Sequence, residues 1–330
     1  MKTPSIFALA GMAALLGTLL LAGCAHTQGR PNGVRISREE GKLRVEINGK
    51  LFTKYCYKDV PRPYFYPLLG PDELPMTRRW PVEDSTDEQH DHLHHRGLWY
   101  AHSSVNGLDF WTDGITDGGR IVHDKFLAIR SGRDSGLIRS ADNWLAPDGS
   151  IVCTDRRTVR IYNRPDNQRL FDFEVTLQAP PDKPVMFGDD KDGAMAVRLP
   201  ESMRLRHVDK PGDGHIVLSS GARDGETWGK RADWCDYYGP VQGKIVGVAI
   251  FDHPANLRHP TWWHVRDYGL FAANPFGVHH FENKPKGTGD FTLPAGQSVT
   301  FRYRFYLHEG DEQQARVAGE YQQYIRTQTP

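Results

Sequence analysis

The strongest constraint on how this chain can fold is an alternation of apolar and polar residues with period two. Leu43, Val45 and Ile47 alternate with polar neighbours up to Asn48-Gly49, after which Leu51, Thr53 and Tyr55 resume the pattern. Asn-Gly between two alternating runs predicts a hairpin, because both residues tolerate the positive φ of a type I′ turn. Phe171, Phe173, Val175 and Leu177 repeat the alternation, as do Val299, Phe301, Tyr303, Phe305 and Leu307. Each run has one apolar and one wet face, as half-buried antiparallel strands require. Further strands are expected at Ile151 to Tyr162, Ala194 to Leu199, His215 to Ser219 and Ile245 to Phe251. Only the C-terminus reads as helix. Asp311 and Gln314 have the spacing of a capping box, and Ala315, Ala318, Tyr321 and Ile325 follow at helical intervals. No strand alternates with a long amphipathic helix, which argues against a doubly wound α/β fold. The expected fold is all-β: a large antiparallel β-sandwich in one domain, residues 34–330, with a C-terminal α-helix.

The chain begins with Met1-Lys2, then an uncharged apolar run from Ile6 to Ala22, then Leu21-Ala22-Gly23-Cys24. A basic start, a short apolar segment and small residues before a cleavage point are the marks of an export signal, here residues 1–23. The Leu-Ala-Gly-Cys end resembles the bacterial lipobox, which implies acylation of Cys24. Ala25, rather than Asp, follows that cysteine and points to the outer membrane, with the protein lipid-anchored in the cell envelope. Residues 24–33 read as a flexible tether. Cys56, Cys153 and Cys235 are far apart and form no CxxC; buried free thiols are expected, with one disulfide as the alternative. The 41 basic residues balance 41 acidic ones, which argues against a nucleic-acid partner.

From Asp59 to His90 six prolines interrupt the pattern, interleaved with Tyr64, Phe65, Tyr66 and Trp80. A connection this long on a β scaffold is a candidate functional loop, ordered by its aromatics. It leads into five of the chain's 15 histidines: His90, His92, His94, His95 and His102. If the segment is extended, His90, His92 and His94 share one face and can ligate zinc or copper, oriented by Asp91 or Asp109. The alternatives are a solvated loop, or acid–base work by imidazoles that titrate near neutrality. Arg96 can clamp a carboxylate or pair with Asp109, and Gly97 can serve a bend. Trp99, Tyr100 and Trp111 can stack on a sugar ring or belong to the core. Later stretches around Trp228 to Tyr238, His253 to Asn256 and His259 to Tyr268 mix aromatics, prolines and charges. His264, between Trp263 and Arg266, is their best candidate for chemistry, whereas His279-His280 reads as solvated surface.

The blocks His94-His95-Arg96-Gly97-Leu98-Trp99, Val105-Asn106-Gly107-Leu108-Asp109-Phe110-Trp111, Trp263-His264-Val265-Arg266-Asp267-Tyr268-Gly269 and Asn274-Pro275-Phe276-Gly277 resemble an uncharacterised bacterial family known as methane oxygenase PmoA. The oxygenase behind that name is a multi-pass membrane protein, and no long apolar run follows Ala22 here. Leu293-Pro294-Ala295-Gly296 and the strand after it are similar to the closing strands of galactose-mutarotase-like supersandwiches, which host epimerases, lyases and glycosidases. The resulting expectation is an exported carbohydrate-active enzyme with His94, His95, His102 and His264 as proton carriers. Arg96, Trp99, Asn106, Asp109, Trp111, Lys230, Trp263, Arg266 and Asn274 are the expected contacts to an oligosaccharide or sugar-derived molecule. No cofactor is expected, and the membrane is reached only through the lipid. The alternatives are a glycan-binding lipoprotein without catalysis and a periplasmic metal-binding protein. Replacing Cys24 by Ala should abolish labelling by radioactive palmitate and partition into a detergent phase; a labelled C24A protein would contradict the lipobox reading.

Overall fold

The computed structural model describes residues 32–327, together with Met1 and Thr3; the rest of the expected signal, Cys24 and all but the end of the tether lie outside them. Two eight-stranded antiparallel sheets make up the fold. The first runs in the order β1 (Val34–Glu39), β2 (Lys42–Ile47), β3 (Lys50–Cys56), β4 (Tyr64–Leu68), β5 (Leu98–His102), β11 (Gly193–Arg198), β16 (Leu270–Asn274), β15 (Trp262–Val265). The second runs β12 (His215–Leu218), β13 (Trp234–Val241), β14 (Lys244–Asp252), β18 (Ser298–Glu309), β9 (Gln168–Gln178), β8 (Ile151–Tyr162), β7 (Ser135–Leu145), β6 (Arg120–Arg130). A small ribbon pairs β10 (Val185–Phe187) with β17 (Phe291–Leu293).

The alternating runs are strands, and their apolar faces meet. Asn48 and Gly49 take φ of 52° and 79°, and the Asn48 carboxamide oxygen accepts the Gly33 N–H at 2.8 Å, so Gly33 is already tied to the sandwich. Across the sheets Phe52 meets Phe171 at 5.7 Å, Phe65 meets Phe173 at 5.8 Å, and Tyr100 lies 6.4 Å from both Trp144 and Phe301. Such aromatic pairs carry much of the burial energy of a two-layer core. On the outer face of the second sheet, α2 (Val317–Thr327) packs Val317, Tyr321 and Tyr324 over Leu170, Phe251 and Tyr306. The capping box precedes it as expected: the Asp311 carboxylate accepts the Gln313 and Gln314 N–H groups, and Gln314 accepts the Asp311 N–H. Unexpectedly, His279 and His280 belong to a short helix, α1 (Val278–Glu282). The proline-rich connection is ordered and contributes β4, whose Tyr64, Phe65 and Tyr66 are buried. Cys56, Cys153 and Cys235 are buried free thiols. Among the described residues no helix is long and apolar enough to cross a membrane.

The core also holds charge. The Arg157 guanidinium sits between the carboxylates of Asp142 (3.0 Å) and Asp155 (2.9 Å), with all three side chains buried. Trp144 Nε1–H donates to Asp155 at 2.8 Å, and Arg157 Nη1–H reaches the Pro63 carbonyl at 3.3 Å, tying this network to the loop before β4. Removing one partner from such a network strands the others without compensation. Arg157→Met should therefore destabilise the protein by about 3–5 kcal/mol in urea denaturation, and adding Asp142→Asn and Asp155→Asn should recover part of the loss. An R157M protein as stable as the parent would refute this account of the core.

Candidate functional site

Register places one row of side chains on the outer face of the first sheet. Trp99 on β5 pairs with Ala196 on β11, Ala196 with Ala272 on β16, and Ala272 with His264 on β15. Direct partners in antiparallel strands share a face, so Trp99 and His264 lie at the ends of a row about 14 Å long, floored by two alanines. The face opposite is the core face, since Tyr100, one residue on from Trp99, points at Trp144 and Phe301.

The histidine loop folds over the Trp99 end of the row. His92 has φ of 45°, so the segment turns instead of running extended, and the His95 N–H bonds back to the His92 carbonyl. This turn corrects the expected metal face: the His90 ring stacks on Trp80 at 3.8 Å, away from His92 and His94. Among the described residues no group of three His, Cys, Asp or Glu side chains is placed to hold a metal ion. His95 stacks on Trp99 (5.2 Å) and beneath His92 (4.6 Å), and His92 in turn stacks on Tyr268 (5.1 Å). Arg198, on the same face of β11, donates from Nη1 to His95 Nδ1 at 3.0 Å and from Nη2 to Asp91 at 3.1 Å. Arginine can only donate, so His95 Nδ1 is the acceptor and its proton resides on Nε2. Arg78 completes the frame with bonds to the Asp91 carboxylate and to the carbonyls of Trp80, Gln89, Asp91 and His92. Burial opposes ionisation of Asp91, but the His92 hydrogen bond and the charges of Arg198 and Arg78 hold its carboxyl far below the usual range.

At the other end of the row, His264 Nδ1–H donates to the Lys191 carbonyl at 2.7 Å, which leaves the Nε2 lone pair as its acceptor. Asn274 fixes that loop by donating to the Asp190 and Lys191 carbonyls at 2.9 and 2.8 Å. The loop delivers Asp192, whose carboxylate lies 3.7 Å from His264 Nδ1 and also acts electrostatically on His94 and Tyr268. Burial lowers the imidazole of His264 to about 4, against the opposing pull of Asp192. Burial, helped by Arg62 and His92, lowers His94 to about 4 as well. His95 is pushed well below its usual value by burial and Arg198. The Arg266 guanidinium lies over the rings of Tyr268 (5.4 Å) and Trp228 (5.9 Å), with no ion-pair partner among the described residues. Two neutral imidazoles, a carboxylate, a phenol held protonated by burial and an unpaired guanidinium thus gather on one face.

The other expected residues have different places. His102 is buried at the end of β5; its Nε2–H donates to the Gly188 carbonyl at 2.7 Å and its ring packs on Phe276, so it is removed from this face. Trp99 and Trp111, each 1% exposed, lie beneath the histidine loop, and Trp263 is buried on the core face of the same sheet against Phe271, so none of the three is available to stack on a ligand. Arg96 pairs with Asp113 at 2.9 Å, not with Asp109, and so is not a free clamp. Asp109 caps a turn by accepting the Trp111 and Thr112 N–H groups. Asn106 takes φ of 51° in a turn and accepts the Met186 N–H. Lys230 is exposed on the turn after Trp228. Gly97 does serve a bend: its φ is +56°, and a Cβ would stand 2.1 Å from the Phe65 carbonyl oxygen. Asp192, Tyr268, Arg78 and Arg198 were not among the expected site residues, and Asp91, expected to orient a metal-binding histidine, instead pairs with Arg78 and Arg198. For Asp192 the signal was present in Gly188-Asp-Asp-Lys-Asp-Gly193, an acidic turn between strands.

The depressed imidazoles imply a direction for acid stability. Between about 4 and the unfolded value near 6.5 the unfolded chain binds the extra proton, so stability is full above this window and falls as pH drops through it. His264 alone should contribute a slope of up to about 1.4 kcal/mol per pH unit there, and His264→Asn should flatten it. An unchanged slope in H264N, measured by urea denaturation at pH 7 and 5, would show that His264 is not buried as a neutral group.

Comparison with curated proteins gives no significant match. Among solved structures, similar ones include a protein assigned as a kojibiose phosphorylase, from the human microbiome. It has 10% identity and a TM-score of 0.32, over 63% of this chain and 25% of that one. An aldose epimerase homologue from C. elegans matches with 9% identity and a TM-score of 0.31, over 85% of this chain and 100% of that one. A polysaccharide lyase matches with 13% identity and a TM-score of 0.31, over 85% and 33% of the two chains. This chain thus spans a quarter of the length of the first and a third of the lyase, and no residue role is transferred from any of them. A family model matches residues 42–322, and its description carries no function and not the methane-oxygenase name suggested by the motifs. The chain belongs to DUF6807, a family of unknown function.

Proposed function

We propose that this protein is an exported, lipid-anchored carbohydrate-active enzyme that moves protons on a sugar-derived substrate held over the outer face of the first sheet. The observation that carries this reading is that His94 and His264, 170 positions apart in the chain, both lie within electrostatic reach of one carboxylate, Asp192. His264, whose ring is 2% exposed, is assigned as the base: its Nδ1 proton is committed to the Lys191 carbonyl, and Nε2 carries the lone pair that takes a proton from substrate. The Tyr268 hydroxyl, held protonated by burial, and the His94 imidazole are the groups placed to return one. Arg266, which has no carboxylate partner among the described residues, takes a carboxylate or the negative charge that develops on a substrate oxygen as the proton leaves. Proton abstraction beside a carbonyl or carboxyl group, as in epimerisation or β-elimination, uses all of these groups. The Trp228 ring is the apolar surface that suits the C–H face of a sugar, since the Tyr268 ring is already covered by His92, Arg198 and Arg266.

The test is a turnover screen of purified protein against oligosaccharides, keto-sugars and uronate-containing glycans. His94→Asn and His264→Asn should each lower kcat by about 10²–10⁴ while leaving the fold intact by circular dichroism. Sugar binding without turnover across the panel, unaffected by H94N and H264N, would instead identify a glycan-binding protein.

A further inference from the structure

Beyond Arg266 the face opens into two adjoining cavities that the acid–base reading does not use. One, of about 290 Å³, is walled by Trp228 and Arg266, the same two side chains that border His264 and Tyr268. The second, of about 530 Å³, shares Leu205, Gly225 and Asp267 with the first and continues past Val208 and Pro211. The two volumes together are in the range of sites that enclose extended small ligands, and larger than one sugar ring needs. Their lining is mixed in a particular way. Leu205, Val208, Pro211 and the Trp228 ring provide apolar surface, and Val208 is 68% exposed. Three cations, Arg206, Lys210 and Arg266, are matched by three carboxylates, Asp209, Asp224 and Asp267. Such a lining offers hydrogen-bond donors and acceptors in equal measure around apolar surface and has no net charge to attract a polyanion. The indole Nε1–H of Trp228 is buried without a partner among the described residues, a donor left over for a ligand oxygen.

We infer that these two cavities form a trough for the neutral sugar units of an oligosaccharide, extending from the unit held at His94 and His264. This inference rests on the proposed site for the position of the reacting unit, but the trough can be tested by binding alone. Gly225 is its natural block: it lines both cavities, and a Cβ there meets nothing within 4 Å, so a side chain starts into open space. Val208 lines only the outer cavity of the two.

The experiment is calorimetric titration of the full chain with xylo-, cello-, malto- and manno-oligosaccharides of one to five units, and with oligogalacturonates of equal length. Affinity for at least one neutral series should rise about tenfold or more from one unit to three, and Gly225→Trp should remove that rise with little change in melting temperature. Val208→Trp should spare the disaccharide and remove the gain from longer chains. Affinity independent of length, a rise that survives in a folded G225W protein, or stronger binding of the galacturonate series would each overturn the inference. Turnover dependent on His264 but indifferent to chain length would leave the proposed function standing and dismiss the trough; length-dependent binding without turnover would do the reverse.

Discussion

The candidate site depends on one buried hydrogen bond, from the Arg198 guanidinium to His95. A guanidinium taken fully out of water is costly unless its donors are satisfied; the two Nη groups of Arg198 find His95 and Asp91, while its Nε–H has no partner among the described residues. Because arginine only donates, the bond fixes the tautomer of His95 and so the orientation of its ring. That ring is the layer between Trp99 below and His92 above, and His92 carries the stack on to Tyr268. Arg78 closes the turn by binding successive carbonyls of the same loop. A histidine-rich segment that would otherwise be solvated is thereby held as a rigid wall, with His94 on its exposed side.

The opposite wall is built by different means. His264 is carried by a strand at the sheet edge, and its partner loop is pinned by Asn274 from the neighbouring strand. Both walls rise from the same sheet, so the distance between them is set by strand spacing and not by loop flexibility. Asp192 enters from the connection preceding β11 and completes a site drawn from distant segments. The stability of the platform is a separate matter, carried by aromatic packing between the sheets and by the Arg157 network behind β4.

The strands legible in the sequence were β2, β3, β8, β9, β11, β12, β14 and β18, and the clearest of them, β2, β8 and β9, follow the rule of one apolar and one polar face. The strands that escaped notice break that rule for identifiable reasons. β7 buries Ser140 and Asp142 because they serve Arg157, so its inward face is partly polar. β6 is an edge strand with two register shifts, which blur its period. β15 and β16 are buried on both faces by the loops that build the site, so they show no alternation at all. Motifs located His94, His264 and Arg266, but spacing along the chain could not separate an imidazole on the outer face of the sheet from one on its core face, as His102 is. It also could not identify the buried arginines, because Arg78 and Arg198 acquire their roles only when carbonyls and carboxylates from distant segments surround them.

The central claim is that His94 and His264 are neutral imidazoles facing one substrate. Imidazole ¹⁵N NMR of the labelled protein tests it most directly. The account predicts that both rings are neutral at pH 7, that His264 carries its proton on Nδ1, that both titrate near 4, and that one sugar ligand shifts both sets of resonances. Rings that titrate near 6.5 in fast exchange with water, or a bound sugar that perturbs neither, would contradict it.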